Sequence, residues 1–223
     1  MALYPINLNI SGQLCVVIGG GTVATRKTSS LLACDARVRV VSPQLSAGIR
    51  HFVETNRIKW IPRTYKTGDL RGATLAFALT DSPEVQSQIA VEANELGIPV
   101  NIGDNPAACT FHTAATIRRG DLLLSISTGG SSPALAGAIR QELELHYGPE
   151  YGELVKLLGE VRKLHREQSS SRKHHKLLVE KILQTDILAL LRNKDWQQLQ
   201  VLLCKILPQN MDVNDIVQKV RGY

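Results

Sequence analysis

Leu14–Ala24, in one-letter form LCVVIGGGTVA, is the stretch that decides the fold. Five apolar residues, Leu14–Ile18, run into three glycines, which reads as a buried strand entering a tight turn. Gly19, Gly21 and Ala24 then give the spacing G-x-G-x-x-A in front of a helix expected over 22–33. The first glycine permits the turn, the second lets backbone approach a pyrophosphate, and the small third residue lets helix and strand pack closely. Backbone N–H groups at the new helix terminus, around Thr22 and Val23, would face the phosphates. The spacing recurs by chance in many sequences. At the first strand–helix junction of an alternating chain it signals a Rossmann-type dinucleotide-binding unit.

The residues outward from this stretch alternate in the required way. Arg37–Val41, Ile58–Ile61, Leu75–Leu79 and Pro99–Ile102 read as strands, and 83–96 reads as a helix. Strands and helices at this spacing imply an α/β unit with a parallel sheet and right-handed crossovers. After residue 110 the texture changes. Asp121–Ser127 (DLLLSIS) reads as one more strand, and Pro133 opens a helix that runs to about His146. Beyond Gly148-Pro149 only helical periodicity remains, carried by Leu154, Val155, Leu157, Leu158, Val161 and Leu164, then by Leu177, Leu178, Ile182, Leu183, Ile187 and Leu188. A break is expected at Ser169-Ser170-Ser171. The expected organisation is a Rossmann domain over 1–112, a connecting and dimerising segment over 113–148, and a small all-helical domain over 149–223.

Composition narrows the function classes. At 43% hydrophobic residues the chain can build a core, and no apolar run approaches the roughly eighteen residues of a membrane span. Cys15, Cys34, Cys109 and Cys204 are scattered, so neither a zinc site nor a disulfide framework is indicated, no resident metal is expected, and the cytoplasm is the expected compartment. The N-terminal residues do not have the layout of a signal peptide. The net charge of +6 is concentrated at the end of the chain: residues 151–223 hold thirteen Lys/Arg against eight Asp/Glu. Aromatics are only 4% and do not interleave with the basic run, which argues against a nucleic-acid platform. The remaining readings of the basic stretch are attraction of an acidic small molecule and an ordinary solvated face.

Two further positions bear on chemistry. A carboxylate for the adenosine ribose is expected about 20 residues after the glycines, yet that place holds Val40-Val41-Ser42-Pro43-Gln44. Ser42 and backbone groups of 42–44 are left to hold the ribose, with NAD favoured over NADP only mildly. Asp104, in Asn101-Ile102-Gly103-Asp104-Asn105-Pro106, follows a strand and falls at the carboxyl edge of the sheet, where such folds place ligands. It can act as a proton acceptor there, or simply start the Asp-Asn-Pro turn.

Taken in order, LCVVIGGGTVATRK (14–27), Thr80-Asp81, NIGDNPAACTF (101–111), Arg119–Leu122 and STGGSSPALA (127–136) closely resemble the precorrin-2 dehydrogenase and sirohydrochlorin ferrochelatase family, including the N-terminal part of siroheme synthases. The resemblance covers residues 1–147, and the methyltransferase region of the trifunctional enzymes has no counterpart, as in a stand-alone form. It implies NAD-dependent oxidation of precorrin-2 to sirohydrochlorin, and in some members insertion of iron. It further implies that Gly19, Gly21, Thr22, Val23 and Ala24 hold the cofactor phosphates, that Pro43 and Gln44 lie by the ribose, and that Thr80 and Asp81 border the cofactor. Asp104 stands at the family's essential aspartate, and Thr128, Gly129, Gly130, Ser131 and Ser132 correspond to its substrate-pocket turn. Ala114 and Gln86 depart from residues common in the family.

The chemistry is consistent with that implication. Precorrin-2 carries eight carboxylates, so a basic wall formed by Arg162, Lys163, Arg166, Arg172, Lys173 and Lys176 would attract it. Its oxidation needs a hydride acceptor and a place for a proton, for which Asp104 is the named candidate. Fe2+ or Co2+ would enter as a substrate, because the macrocycle supplies the nitrogen ligands. The pair His174-His175 reads as a surface feature. The rival readings are an NAD-sensing regulatory Rossmann module without turnover, and a chelatase that binds NAD poorly. The short segment 111–147, with one expected strand and one helix, is too small to close alone and implies a homodimer.

Overall fold

The computed structural model describes residues 3–168 and 172–222. In the first of its two compact units, residues up to Thr113, five strands lie parallel: β1 (Leu14–Ile18), β2 (Arg37–Val41), β3 (Ile58–Ile61), β4 (Leu75–Ala78) and β5 (Val100–Ile102). Their order is β3-β2-β1-β4-β5, so the direction of winding reverses between β1 and β4. Central strands of a covered parallel sheet are buried on both faces. Accordingly β4 (LAFA) is buried at every position, as are Cys15–Ile18 of β1. The helices are α1 (Thr22–Leu32), α2 (Ala47–Glu54) and α3 (Pro83–Glu95). Helix α2 was not expected, because its eight residues bury only Ile49 and leave almost no apolar period to read.

No helix spans the connection from β3 to β4, and buried polar groups hold it instead. Glu92 of α3, 4% exposed, accepts hydrogen bonds from Gly68 N (2.9 Å), Leu70 N (3.2 Å) and the Tyr65 hydroxyl. Burial, then the neighbouring Glu92, pushes the Tyr65 hydroxyl above its ordinary pKa. Beside them Arg63 grips Asp69 with two bonds of 2.7 Å, and Lys66 N adds a third at 2.9 Å. The Arg63 guanidinium holds the Asp69 carboxyl below the usual range. A depressed carboxyl stabilises the fold above the unfolded pKa of about 3.9 and loses that contribution as pH falls through its folded value. Asp69→Asn is therefore expected to lower the unfolding free energy by about 1–3 kcal/mol at pH 7. In urea unfolding the gap to wild type should narrow below pH 4, and a gap independent of pH would contradict the pairing.

The second unit begins at Ala114. It opens with an antiparallel hairpin, β6 (Ala115–Arg119) and β7 (Leu122–Ile126), turned through Gly120 at φ 55°. The sequence led us to expect one strand here. ATIRR buries only Ile117, so its alternation is hidden in a polar run. Helix α4 (Pro133–His146) follows, then α5 (Glu150–Gln168), α6 (Arg172–Leu183), α7 (Ile187–Arg192), α8 (Trp196–Ile206) and α9 (Val213–Arg221). Leu154, Leu157, Val161, Leu178, Ile182, Leu199, Leu203 and Ile216 form their common core. Leu177 and Leu183, read from periodicity as part of it, are 49% and 52% exposed. The break expected at Ser169–Ser171 lies outside the described residues. Two buried carboxylates tie the helices together, Glu150 with Arg192 (2.7 Å) and Glu153 with Lys194. Among the described residues no helix is long and apolar enough to cross a membrane.

Candidate functional site

The winding reversal brings four loops of the first unit side by side at the carboxyl edge of the sheet. Gly19, at φ 123°, leaves β1 where a Cβ would overlap the Leu79 carbonyl at the end of β4, so both its backbone angle and its neighbour demand glycine. A Cβ on Gly20 would overlap the carbonyl of Gln44 in the loop after β2. Sequence reading gave Gly20 no role, since it is the variable residue of the motif. The close approach of loop 42–44 is the reason for it. On the other side of β4, Gly103 N donates to Ala78 O at 2.9 Å. Loop 42–46, the glycine turn, Leu79–Asp81 and the Asp104 loop thus form one continuous edge.

Gly21 is different. It is the N-cap of α1 at an ordinary φ of −82°, with nothing within 4 Å of where a Cβ would be. No side chain caps α1, and no acid stands in its first turn. The first N–H groups of α1 thus have no intrahelical acceptor and no capping side chain, beside open space at Gly21, the arrangement that suits a phosphate anion. Ala24 is buried at 1% exposure against the sheet, as the motif requires. The residues present fit a dinucleotide pyrophosphate.

Ser42, expected at the ribose, is buried. Its hydroxyl donates to Gln44 O at 2.7 Å, and its carbonyl accepts from Trp60 Nε1 at 2.9 Å. It shapes the loop, while Pro43 and Gln44 are exposed. At the end of β4, the Thr80 carbonyl accepts from Gln86 Nε2 at 2.7 Å, so α3 is tied back to the edge through the glutamine at position 86. Asp81 is exposed beside it.

The Asp104 loop is built by its neighbours. The turn is capped by Asn105, whose Oδ1 accepts from Ala108 N at 3.3 Å, ahead of a 3₁₀ turn over Pro106–Ala108. The buried Cys109 thiol sits inside the loop, accepting from Ile102 N at 3.1 Å and lying 3.3 and 3.4 Å from the carbonyl oxygens of Ile102 and Asn105. Asn101 Nδ2 spans from Cys109 Sγ to Phe111 O. None of these bonds uses the Asp104 carboxylate, which is exposed and makes no hydrogen bond or ion pair with any described residue. The turn-forming reading of Asp104 thereby loses its support, because Asn105 does that work.

In the second unit, the Thr128 hydroxyl closes its own turn, accepting from Ser132 N at 3.1 Å and donating to Ser132 O at 3.0 Å. Gly129 and Gly130 take φ of 63° and 86° and are exposed along with Ser131, while Ser132 caps α4 through Leu135 N at 3.2 Å. Within the basic stretch, Arg162, Lys163, Arg166 and Lys176 are exposed. Of the histidine pair, His174 is exposed and His175 half-buried. His174 and His175 lie 5.4 and 5.6 Å, ring to ring, from His165, which is 4% exposed. Burial, then His165 and Arg162, lowers the pKa of His175. Among the described residues no group of three or more His, Cys, Asp or Glu could hold a metal ion.

Known proteins share this architecture. Residues 6–115 match a family model described as putative NAD(P)-binding, and residues 119–146 match one described as sirohaem biosynthesis protein central. Siroheme synthase from Pseudomonas paraeruginosa is 35% identical over 187 residues, which is 84% of this chain and 40% of that protein. Siroheme synthase from Methylobacillus flagellatus is 33% identical over 184 residues, 82% of this chain and 39% of that protein. The chain thus spans about two fifths of the length of these relatives. Among solved structures, SirC, a precorrin-2 dehydrogenase, superposes with a TM-score of 0.72 at 23% identity, over 99% of this chain and 100% of that one, so the two share a fold. The two family models match in order along the chain, over residues 6–115 and 119–146.

Proposed function

We propose that this protein is an NAD-dependent precorrin-2 dehydrogenase that forms sirohydrochlorin in the cytoplasm. The observation that carries the reading is the unpartnered Asp104 carboxylate on the same sheet edge as the open phosphate cradle at Gly21. Bound NAD+ would supply the hydride acceptor. The residues that would hold it are Gly19–Ala24 at the pyrophosphate, backbone of Pro43 and Gln44 at the ribose, and Thr80 and Asp81 along its border. Asp104 Oδ accepts the proton that must leave as the macrocycle loses a hydride, so that one C–H and one further hydrogen are removed together. The exposed turn Gly129–Ser131 offers backbone and hydroxyl groups to the carboxylates of the tetrapyrrole. A purely regulatory NAD sensor has no use for a free carboxylate beside the cradle. The four cysteines are free thiols, as suits a reducing compartment.

The test is anaerobic incubation with precorrin-2 and NAD+, following NADH and the sirohydrochlorin spectrum. Binding of NAD+ without turnover would overturn the reading in favour of a sensor. Metal insertion is read separately, with Fe2+ or Co2+ as substrate and Asp104 receiving pyrrole protons. Purified sirohydrochlorin without NAD+ decides it, and a rate no faster than the protein-free control leaves a dehydrogenase alone.

The working form is a homodimer. The β6–β7 hairpin forms a two-stranded sheet whose outer edges are unpaired, and on α4 Leu135 and Leu145 are 53% and 86% exposed. Exchange of this segment between two copies would pair the edges and bury the leucines. Sedimentation at micromolar concentration is expected to give twice the chain mass of 24.5 kDa. A species of single mass would refute the dimer.

A further inference from the structure

Strand β5 ends the sheet, so its outward backbone groups have no neighbouring strand. Val100 and Ile102 are each 2% exposed, and buried N–H groups need acceptors. Side chains from the segment just beyond the Asp104 loop supply them. Thr110 Oγ1 accepts from Val100 N at 2.8 Å, and Thr110 N donates to Val100 O at 2.9 Å. The Cys109 thiol accepts from Ile102 N at 3.1 Å. Asn101 Nδ2 donates to Phe111 O at 3.1 Å, holding the same segment from behind.

The two N–H bonds are alike in kind but not in place. Thr110 fastens the body of the strand. Ile102 leads into Gly103 and Asp104, and Cys109 follows the 3₁₀ turn, so the Cys109 bond draws together the two ends of loop 103–108. The thiol also lies 3.4 Å from Asn105 O, one residue past Asp104. The Asp104 carboxylate is exposed and bonds to no described residue, so its position depends on the backbone that carries it. Misplacing a reacting group by an ångström can cost about a hundredfold in rate.

We infer that Cys109 is a positioning residue for the dehydrogenation: its thiol closes the neck of the loop and so sets where the Asp104 carboxylate stands. It acts through the loop, not on the reacting atoms, and the inference rests on the reading of Asp104 as proton acceptor. The test compares wild type, Cys109→Ala, Cys109→Ser, Thr110→Val, Asp104→Asn and the double variant Asp104→Asn/Cys109→Ala. For each, kcat with precorrin-2 and NAD+, the Kd for NAD+ and the Tm are measured. Cys109→Ala should lower kcat about tenfold and leave the Kd for NAD+ within about twofold. Cys109→Ser keeps a donor and an acceptor on a shorter bond, and should lose only about threefold. Thr110→Val removes the neighbouring acceptor and should lower Tm with kcat unchanged. The double variant should be no slower than Asp104→Asn alone, because both substitutions act on one group. Wild-type kcat in every Cys109 variant that folds would overturn the inference. So would equal kcat losses in Cys109→Ala and Thr110→Val, or a double variant slowed by the product of the single effects. Full turnover in Asp104→Asn would instead remove the proton acceptor, and the role of Cys109 with it. That outcome is distinct from a slow Asp104→Asn beside unimpaired Cys109 variants.

Discussion

Asp104→Asn is expected to lower kcat for precorrin-2 oxidation by about a hundredfold or more, the usual scale for loss of a positioned proton acceptor. The amide fills nearly the same space but cannot take the proton. Affinity for NAD+ should hold, because the phosphate cradle lies at α1 and the carboxylate lies after β5. Thermal stability should hold as well. The turn around residue 104 is fastened by Asn105 and Cys109, and the Asp104 side chain bonds to no described residue. Full turnover in the variant would remove Asp104 from the chemistry. A fall in Tm with unchanged kcat would restore it to a turn-forming role.

Gly21→Val should raise the dissociation constant for NAD+ at least about a hundredfold, since the branched side chain stands where the pyrophosphate must approach. The fold should tolerate it. The backbone at Gly21 has φ of −82°, which valine adopts readily, and its Cβ would meet nothing within 4 Å. Loss of binding in a protein with normal circular dichroism and normal urea midpoint is therefore the expected result. Retained NAD+ affinity in that variant would refute the assignment of the loop.

The parts of this architecture that were legible from the sequence are those whose burial is one-sided in composition. Strands such as Cys15–Ile18 and Leu75–Ala78 are apolar throughout because both faces are covered, and helix α4 announces its start with Pro133 behind the capping Ser132. Helix α2 and strand β6 bury one residue each, Ile49 and Ile117, and a single buried residue has no period to detect. At the site, the glycine spacing and Asp104 could be read directly. The role of Ser42 could not, since whether a hydroxyl serves a ligand or its own loop depends on the Gln44 carbonyl two residues on.

The abutting loops at the carboxyl edge meet through main chain. Gly19 lies on the Leu79 carbonyl, Gly20 on the Gln44 carbonyl, and Gly103 bonds the Ala78 carbonyl. A seam of this kind is specified by where side chains are missing. Its contour can therefore pass unchanged through substitution of the loop residues around it, and on the dinucleotide reading proposed above, changes at Pro43, Gln44 or Asp81 would retune binding without redrawing that surface.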